Sequence, residues 1–160
     1  MSSAIERSFG LAGPIRLIDA SFSILTTPPK DLSVAQRLPH CDAFVPNQIA
    51  PVHYLLRDSL DGTAFYRHRS TGFEAIVEHF RQIYSSQIDF ELRHFGIPPA
   101  DYIDGDTQMF EQVLRVEARF NRALLYLGRQ LHSGAIKPGA NLLPHPDKGR
   151  LTFTAFLTVG

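Results

Sequence analysis

Alternating apolar and polar positions mark both ends of the chain. Near the N-terminus, "PIRLIDASFSILTT" contains short alternating and β-branched runs that predict strands, and "PPKD" ends them. At the C-terminus, "GRLTFTAFLTVG" places Leu151, Phe153 and Ala155 on one face and Thr152 and Thr154 on the other. This is the clearest strand pattern in the sequence, because the alternation continues over most of the segment.

Shorter apolar runs between these ends predict further strands. "APVHYLL" is a compact strand candidate, "RDSLDG" carries an Asp-Gly turn signal, and "TAFYRHRS" is predicted to return as the partner strand. "FEQVLRVEARFNRALLYLG" predicts two strands around a turn near "ARFN". "SVAQRLPHCDAF" reads as a loop or edge, because Pro39 removes a ladder donor just before His40.

The middle of the chain has a different period. "GFEAIVEHFRQIYSSQIDFELRHFG" carries apolar residues at three-and-four spacing, which predicts an amphipathic helix. These residues are Phe73, Ile76, Val77, Phe80, Ile83 and Tyr84. Gly96 and the following "IPP" end the segment, so we expect a helical insertion at roughly residues 72–98. The predicted fold is mainly β with a helical insert, as a sandwich or a jelly-roll barrel with helical packing on one side.

Composition narrows the class of protein. The 160 residues show no repeat or linker and predict one domain spanning residues 1–160. Sixteen basic and sixteen acidic residues balance without a basic stripe, which argues against nucleic-acid and anionic-membrane partners. One cysteine excludes an intrachain disulfide, and no apolar run approaches membrane-spanning length. We therefore predict a soluble cytoplasmic domain, with homo-oligomerisation left open.

His40 and Asp42 bracket that single cysteine, Cys41. Two residues apart on an extended chain, they project from one face while Cys41 points to the other. The pattern is weak by itself, since composition gives about 0.4 such matches by chance. A second match, His145-Pro146-Asp147, lies in the turn-like "PHPDKG". Taken alone, the His40 and Asp42 pair fits a hydrogen-bonded loop as well as half of a metal site.

A third ligand would have to come from elsewhere in the sequence. Two histidines lie in the helical stretch, on its predicted solvated side, and two lie in the predicted hairpin directly after the motif: His79, His94, His53 and His68. His132 is different, because "LLYLGRQLHSG" places it at the end of a strand far along the chain. His40, Asp42 and His132 would form the two-histidine, one-carboxylate set of non-haem Fe(II) oxygenases, which leaves metal positions open.

The order of these motifs carries a family resemblance. His-x-Asp, then "GTAFYR", then "YLGRQLHSG", then "GRLT" resembles the 2-oxoglutarate/Fe(II)-dependent dioxygenase superfamily, in its prolyl-hydroxylase-like branch and a small bacterial group within it. The resemblance runs from about Arg37 to the C-terminus, interrupted by the helical insert. It implies a double-stranded β-helix and the use of Fe(II), 2-oxoglutarate and O2. It also implies hydroxylation rather than halogenation, because Asp42 occupies the carboxylate position.

The resemblance also implies roles near the C-terminus. Arg150 would pair with the far carboxylate of 2-oxoglutarate, since a guanidinium offers that group a two-pronged, permanently charged fit. Thr152 would lie on the same face and Tyr126 would supply another hydroxyl, although packing alone also explains Tyr126. The gap from His132 to Arg150 is wide for the family, so "AIKPGANLLPHPDK" is expected to be an inserted loop. The small domain leaves substrate-side elements reduced or contributed by a partner chain.

Two other kinds of protein remain open at this point. One is a catalytically silent, cupin-like barrel that binds a small molecule or a protein. The other is a metal-dependent enzyme that does not use 2-oxoglutarate. The sequence does not rank a small molecule against a peptide or protein as the substrate.

Overall fold

The computed structural model describes residues 2–56, 61–140 and 142–160. The helices and strands, in chain order, are α1 (Ser2–Phe9), β1 (Ile15–Leu25), β2 (Gln48–Tyr54), β3 (Gly62–His68), α2 (Glu78–Phe95), β4 (Phe110–Glu117), β5 (Arg122–Leu127), β6 (His132–Ala135) and β7 (Arg150–Val159). Two short 3-10 helices, Pro29–Asp31 and Val34–Arg37, fill the connection between β1 and β2. The predicted strands at the two ends are confirmed as β1 and β7.

The strands form two antiparallel sheets, which confirms the mainly β prediction. The larger sheet has the order β1-β7-β2-β5 and the smaller one β4-β3-β6. Within the described ranges the two sheets do not close into a barrel, and a double-stranded β-helix is not confirmed.

The predicted hairpin between "APVHYLL" and "TAFYRHRS" is wrong. β2 lies in the larger sheet, whereas β3 pairs with β4 and β6 in the smaller one. β3 is the central strand of its sheet and is buried over almost its whole length, so its hydrogen-bonding edges are taken by distant strands. The chain also changes sheet between β4 and β5, around the confirmed turn near "ARFN". Most of the predicted "RDSLDG" turn, residues 57–60, lies outside the described residues.

Apolar layers explain how the sheets pack. Ala50 of β2, Phe65 of β3 and Tyr126 of β5 are buried together, so the two sheets pack face to face. Ile5 of α1 packs with Ile49 on the outer face of the larger sheet. Helix α2 covers the outer face of the smaller sheet through residues four apart, namely Tyr84, Ile88 and Leu92.

The helical insert is confirmed, but its predicted start is too early. Ile76 is fully buried and hydrogen bonds to the Arg129 carbonyl, and Ala75 forms an isolated β-bridge with Gln130. The apolar residues before Glu78 therefore belong to an extended segment, and Phe80 and Ile83 are exposed rather than part of the packed stripe. Gly96, with φ 89°, follows the helix as predicted.

None of the helices in the described part of the chain is both long enough and apolar enough to cross a membrane.

Candidate metal centre

His40 and His132 face each other across an isolated antiparallel bridge. The backbone N–H of each donates to the carbonyl of the other, both at 2.9 Å. Directly opposed residues of an antiparallel pair project on the same side. The two imidazole rings accordingly lie 4.4 Å apart between centroids. The backbone thus places two histidines from distant parts of the sequence side by side.

The turn after β5 positions Asp42 beside these rings. The backbone N–H groups of Asp42 and Ala43 donate to the Gly128 carbonyl at 2.7 and 3.0 Å. Asp42 Oδ1 lies 3.8 Å from His40 Nε2, and Asp42 Oδ2 lies 3.5 Å from His132 Nε2. The structure therefore brings together all three residues that the sequence assigned to a metal.

The geometry of the triad fits a metal ion. Its ligand atoms all lie within 4.8 Å of one another. Two ligands at about 2.1 Å on opposite sides of one ion are about 4.2 Å apart, so both carboxylate–imidazole separations suit a shared ion. The His40, Asp42 and His132 triad can hold a metal ion, and its two-histidine, one-carboxylate donor set is the one that non-haem Fe(II) sites use.

The triad has more hydrogen-bond acceptors than donors. His132 Nδ1 donates to the Gln130 carbonyl at 2.9 Å, which leaves a lone pair on Nε2. The Tyr126 hydroxyl lies 3.0 Å from that nitrogen and 3.2 Å from Asp42 Oδ2, and it has one proton to donate. Burial and the nearby Asp42 raise the pKa of Tyr126, so the hydroxyl keeps this proton. One donor thus faces several acceptors, an imbalance that a cation would relieve.

His40 stands at the more open side of the triad, with 55% of its side chain exposed. Partial burial of the ring and the neighbouring His132 lower the pKa of His40 to about 4, and the Asp42 carboxylate opposes this shift. The ring is therefore neutral near pH 7, which is the form that binds metals.

Cys41 points away from the triad. Its thiol donates to the Arg129 carbonyl at 3.0 Å and packs against the core beneath α2. Burial raises the pKa of Cys41 to about 12, so the sulfur stays protonated. The extended geometry around the motif predicts this opposite orientation.

Arg150 lies at the start of β7 and lines the same cleft as His40. This cleft has a volume of about 410 Å³. The Arg150 side chain is only 13% exposed, and its Nη2 donates to the Gly62 carbonyl at 3.2 Å. Its Nε lies 3.8 Å from Asp61 Oδ2 and has no hydrogen-bond partner among the described residues. Burial lowers the pKa of Arg150, and the Asp61 carboxylate opposes that shift.

The other two predicted cosubstrate residues lie in different surroundings. Thr152 is buried and shares a strand face with Arg150, but it is not among the residues that line the cleft. Tyr126 lies at the triad instead, with its hydroxyl on Asp42 and His132. Their cosubstrate roles stay predictions.

The remaining histidines lie apart from the triad. His53 hydrogen bonds to Asn121, His68 is buried against Glu91, and His79 and His94 are exposed on α2. The second His-x-Asp match lies in an exposed turn, where His145 Nδ1 is 4.0 Å from Asp147 Oδ2.

Sequence reasoning missed the residues that support the triad. Gln130 fixes the His132 tautomer through its backbone carbonyl, and Gly128 anchors Asp42 in the same way. Both act through main-chain atoms, which carry no side-chain signal. Asp61, beside Arg150, was likewise not predicted.

Fold and site together define a mainly β protein with a candidate metal centre at the mouth of a cleft. The chain belongs to a family of unknown function (DUF6445), whose family model matches residues 1–157. None of the curated proteins compared with the chain matches it.

Proposed function

We propose that this protein is a non-haem Fe(II), 2-oxoglutarate-dependent dioxygenase of the hydroxylase type, with its two sheets forming a double-stranded β-helix. The overall reaction converts R–H, O2 and 2-oxoglutarate into R–OH, succinate and CO2. The observation that carries the proposal is that His40 of the triad and the buried Arg150 line the same cleft.

His40, Asp42 and His132 would hold the iron, which supplies the oxygen-activating chemistry when bound. Three protein ligands leave coordination positions for other molecules. The Gln130 carbonyl holds the His132 ring with Nε2 towards the metal position, and Tyr126 donates to Asp42. These second contacts fix ligand orientation, a role that commonly governs metal affinity.

Arg150 would hold the distal carboxylate of 2-oxoglutarate. A buried guanidinium is costly when one of its N–H groups has no hydrogen-bond partner, as is the case for Arg150 Nε among the described residues, and a carboxylate with two oxygens would accept from it. Leu25, Leu32 and Ile136 line the same cleft and suit the methylene carbons between the two ends of the cosubstrate. The cleft therefore offers a cation, an apolar middle and the metal ligand His40.

The test is anaerobic addition of Fe(II) and 2-oxoglutarate, which should give a weak visible charge-transfer band. The band should vanish in His132→Ala and persist in His145→Ala, the matched control in the exposed His-x-Asp turn. Arg150→Lys keeps the charge but loses the two-pronged fit, so it should weaken 2-oxoglutarate binding while leaving Fe(II) binding intact. A wild-type protein with no band and no affinity for divalent ions would overturn the proposal.

A succinate-release assay over a panel of amino acids, peptides and small molecules then tests turnover. Metal binding that is indifferent to 2-oxoglutarate would favour a metal enzyme of another kind. A cleft that binds ligands but no metal would favour the silent, cupin-like binding barrel.

A further inference from the structure

Helix α2 carries a second apolar stripe on a face turned away from the core. Tyr84, Ile88 and Leu92 pack towards the smaller sheet, whereas Ile83 and Phe90 lie on another face and are each 55% exposed. Six side chains line a surface hollow of about 700 Å³ on that face, and we call them the outer stripe: His79, Gln82, Ile83, Ser86, Gln87 and Phe90. Large apolar side chains that stay exposed on neighbouring turns of one helix are typical of an interaction surface.

The make-up of the outer stripe indicates what kind of partner fits it. Every described residue that lines the hollow belongs to α2, so the hollow has no opposing wall that would enclose a small molecule. The stripe contains no acidic or basic residue, and α2 as a whole has no lysine and more acidic residues than arginines. This composition does not suit an anionic lipid surface, which attracts helices rich in lysine and arginine. A neutral stripe along a helix instead fits a second helix.

The outer stripe is symmetric about its own midpoint. Ile83 and Phe90 lie equally far from the point between Ser86 and Gln87, one on each side. When two copies of α2 lie antiparallel about this point, Ile83 of each copy faces Phe90 of the other. The small Ser86 side chain then lies at the centre, where it allows the two helices to approach closely. The stripe is therefore complementary to a second copy of itself.

The charges beside the outer stripe favour the same antiparallel arrangement. Glu78 stands at the start of α2 and Arg93 in its last turn, and both side chains are exposed, Glu78 by 70%. In an antiparallel pair, Glu78 of each copy lies near Arg93 of the other, whereas a parallel pair would bring like charges together. Each charge also has an opposite neighbour on its own helix, with Arg81 at 3.6 Å from Glu78 and Asp89 one turn before Arg93. The exposed pairs between copies therefore determine orientation more than affinity.

The length of the helix limits the strength of such a contact. The 18 residues of α2 span about 27 Å, so one face buries on the order of 500 Å² per copy. Stable interfaces bury about 800 Å² per partner. We propose that the outer stripe joins two copies of this chain into a weak dimer, with the two α2 helices antiparallel and Ile83 of each copy over Phe90 of the other. The dimer forms and dissociates at concentrations on the order of 100 µM, and it does not depend on the proposed function.

Sedimentation equilibrium of the full chain between about 10 µM and about 1 mM tests the dimer. The average mass should rise with concentration from that of one chain towards that of two. Phe90→Glu should weaken the association at least about tenfold, because it places a charge in the centre of the contact. Phe22→Glu is the matched control, since Phe22 is a 72% exposed phenylalanine on β1, and it should leave the association unchanged. A wild-type protein that stays monomeric at 1 mM would overturn the proposal and leave the stripe to a different protein. Association that Phe22→Glu abolishes and Phe90→Glu does not would also overturn it.

Charge reversal tests the orientation without changing the apolar stripe. Glu78→Arg and Arg93→Glu should each weaken the dimer about three- to tenfold, because each places like charges side by side between the copies. The double variant restores opposite charges across the contact and should recover the wild-type affinity to within about twofold. Circular dichroism establishes that all three variants remain folded. A double variant whose defect is the sum of the two single defects would contradict the antiparallel arrangement.

Crosslinking tests the location of the contact on the helix. Ser86 belongs to the outer stripe, whereas its neighbour Ser85 lines the groove between α2 and the 35–44 segment, and both are exposed. A short bismaleimide should link two copies of Ser86→Cys at about 100 µM and should link few copies of Ser85→Cys. Wild type, whose one thiol is that of Cys41, is the blank for both. Equal yields from the two variants would show that the copies do not meet at the outer stripe.

Discussion

Two of the clusters of histidine and carboxylate side chains in the described part of the chain differ in how completely their polar atoms are hydrogen bonded. In the first, beneath α2, His68 Nδ1 pairs with Thr71 Oγ1 at 2.9 Å and Nε2 pairs with Glu91 Oε2 at 3.0 Å. The other Glu91 oxygen accepts hydrogen bonds from Ser70 and, at 2.9 Å, from Gln87. His68 and Glu91 are both buried, and each polar atom of their side chains has a partner.

The second cluster is the triad of His40, Asp42 and His132. It uses the same residue types, but Tyr126 brings a single proton to a group of facing acceptors. The triad also borders an open cleft, whereas the His68 and Glu91 pair is enclosed. Residue type therefore does not separate a structural cluster from a candidate metal centre. The balance of donors and acceptors does.

The largest expected effect tests the structural role of the enclosed cluster. Glu91→Ala removes the acceptor of three side chains and leaves His68 buried without its partner, so the free energy of unfolding should fall by about 3–5 kcal/mol. Urea denaturation measures the change. Glu78→Ala, at an exposed position of the same helix, should have little effect. If the two variants are equally stable, the enclosed cluster does not stabilise the fold.

The next effect tests the other side of the comparison. His132→Ala should weaken binding of Co²⁺ or anaerobic Fe²⁺ more than about 100-fold, which corresponds to about 2.7 kcal/mol. Calorimetry of the folded variant measures it, with circular dichroism to establish folding. His68→Ala is the matched control, and it should lose stability while any folded fraction keeps its metal affinity. Metal binding that depends equally on both histidines would contradict the distinction.

A smaller effect is expected from the hydroxyl that contacts the triad. Tyr126→Phe removes the hydrogen bond to Asp42 and keeps the ring that packs against Phe65. Metal affinity should fall about tenfold, as is typical when a partner of a ligand is lost. Tyr102→Phe is a suitable control, because that hydroxyl donates to the Thr27 carbonyl rather than to a ligand. An increase in affinity in Tyr126→Phe would mean that the hydroxyl competes with the ion.

The smallest effect is a difference in pH dependence. Burial by itself raises the pKa of Glu91, but hydrogen bonds from Gln87, Ser70 and His68 outweigh it and hold the pKa below the usual 4.5. The ionised carboxylate thus stabilises the fold above that value, and this contribution is lost as the pH falls through the lowered pKa. Stability between about pH 5 and about pH 3 should decline less steeply in Glu91→Gln than in wild type. Identical slopes in a urea series would refute this.

The alternation of residue types and the spacing of motifs were sufficient to predict the faces of β7 and the three residues of the triad. The apolar and polar faces of β7 follow directly from its sequence, and the two-residue step from His40 to Asp42 places both on one face. His132 could be selected because it lies far from Asp42 in sequence, which suits a ligand on another strand. Local residue patterns and the order of motifs along the chain can both be read from a single sequence.

The features that sequence did not reveal depend on tertiary contacts. The pairing of β3 with β4 and β6 is decided by which sheet buries it, and the extended run before Glu78 is decided by the backbone bonds of Ala75 and Ile76. The cleft that joins His40 to Arg150 exists only once both sheets have packed. The periodicity of apolar residues does not predict such contacts, because they join residues far apart in sequence.

The bridge between His40 and His132 also links metal binding to folding. It joins two segments from distant parts of the chain, so the paired histidines exist only after the long connection between them has closed. The unfolded chain has no such pairing and therefore binds the ion weakly. A metal present at about 100 times its Kd would raise the free energy of unfolding by about 2.7 kcal/mol. Metal supply would thus set how much of the protein is folded under mildly denaturing conditions, whatever reaction the site performs.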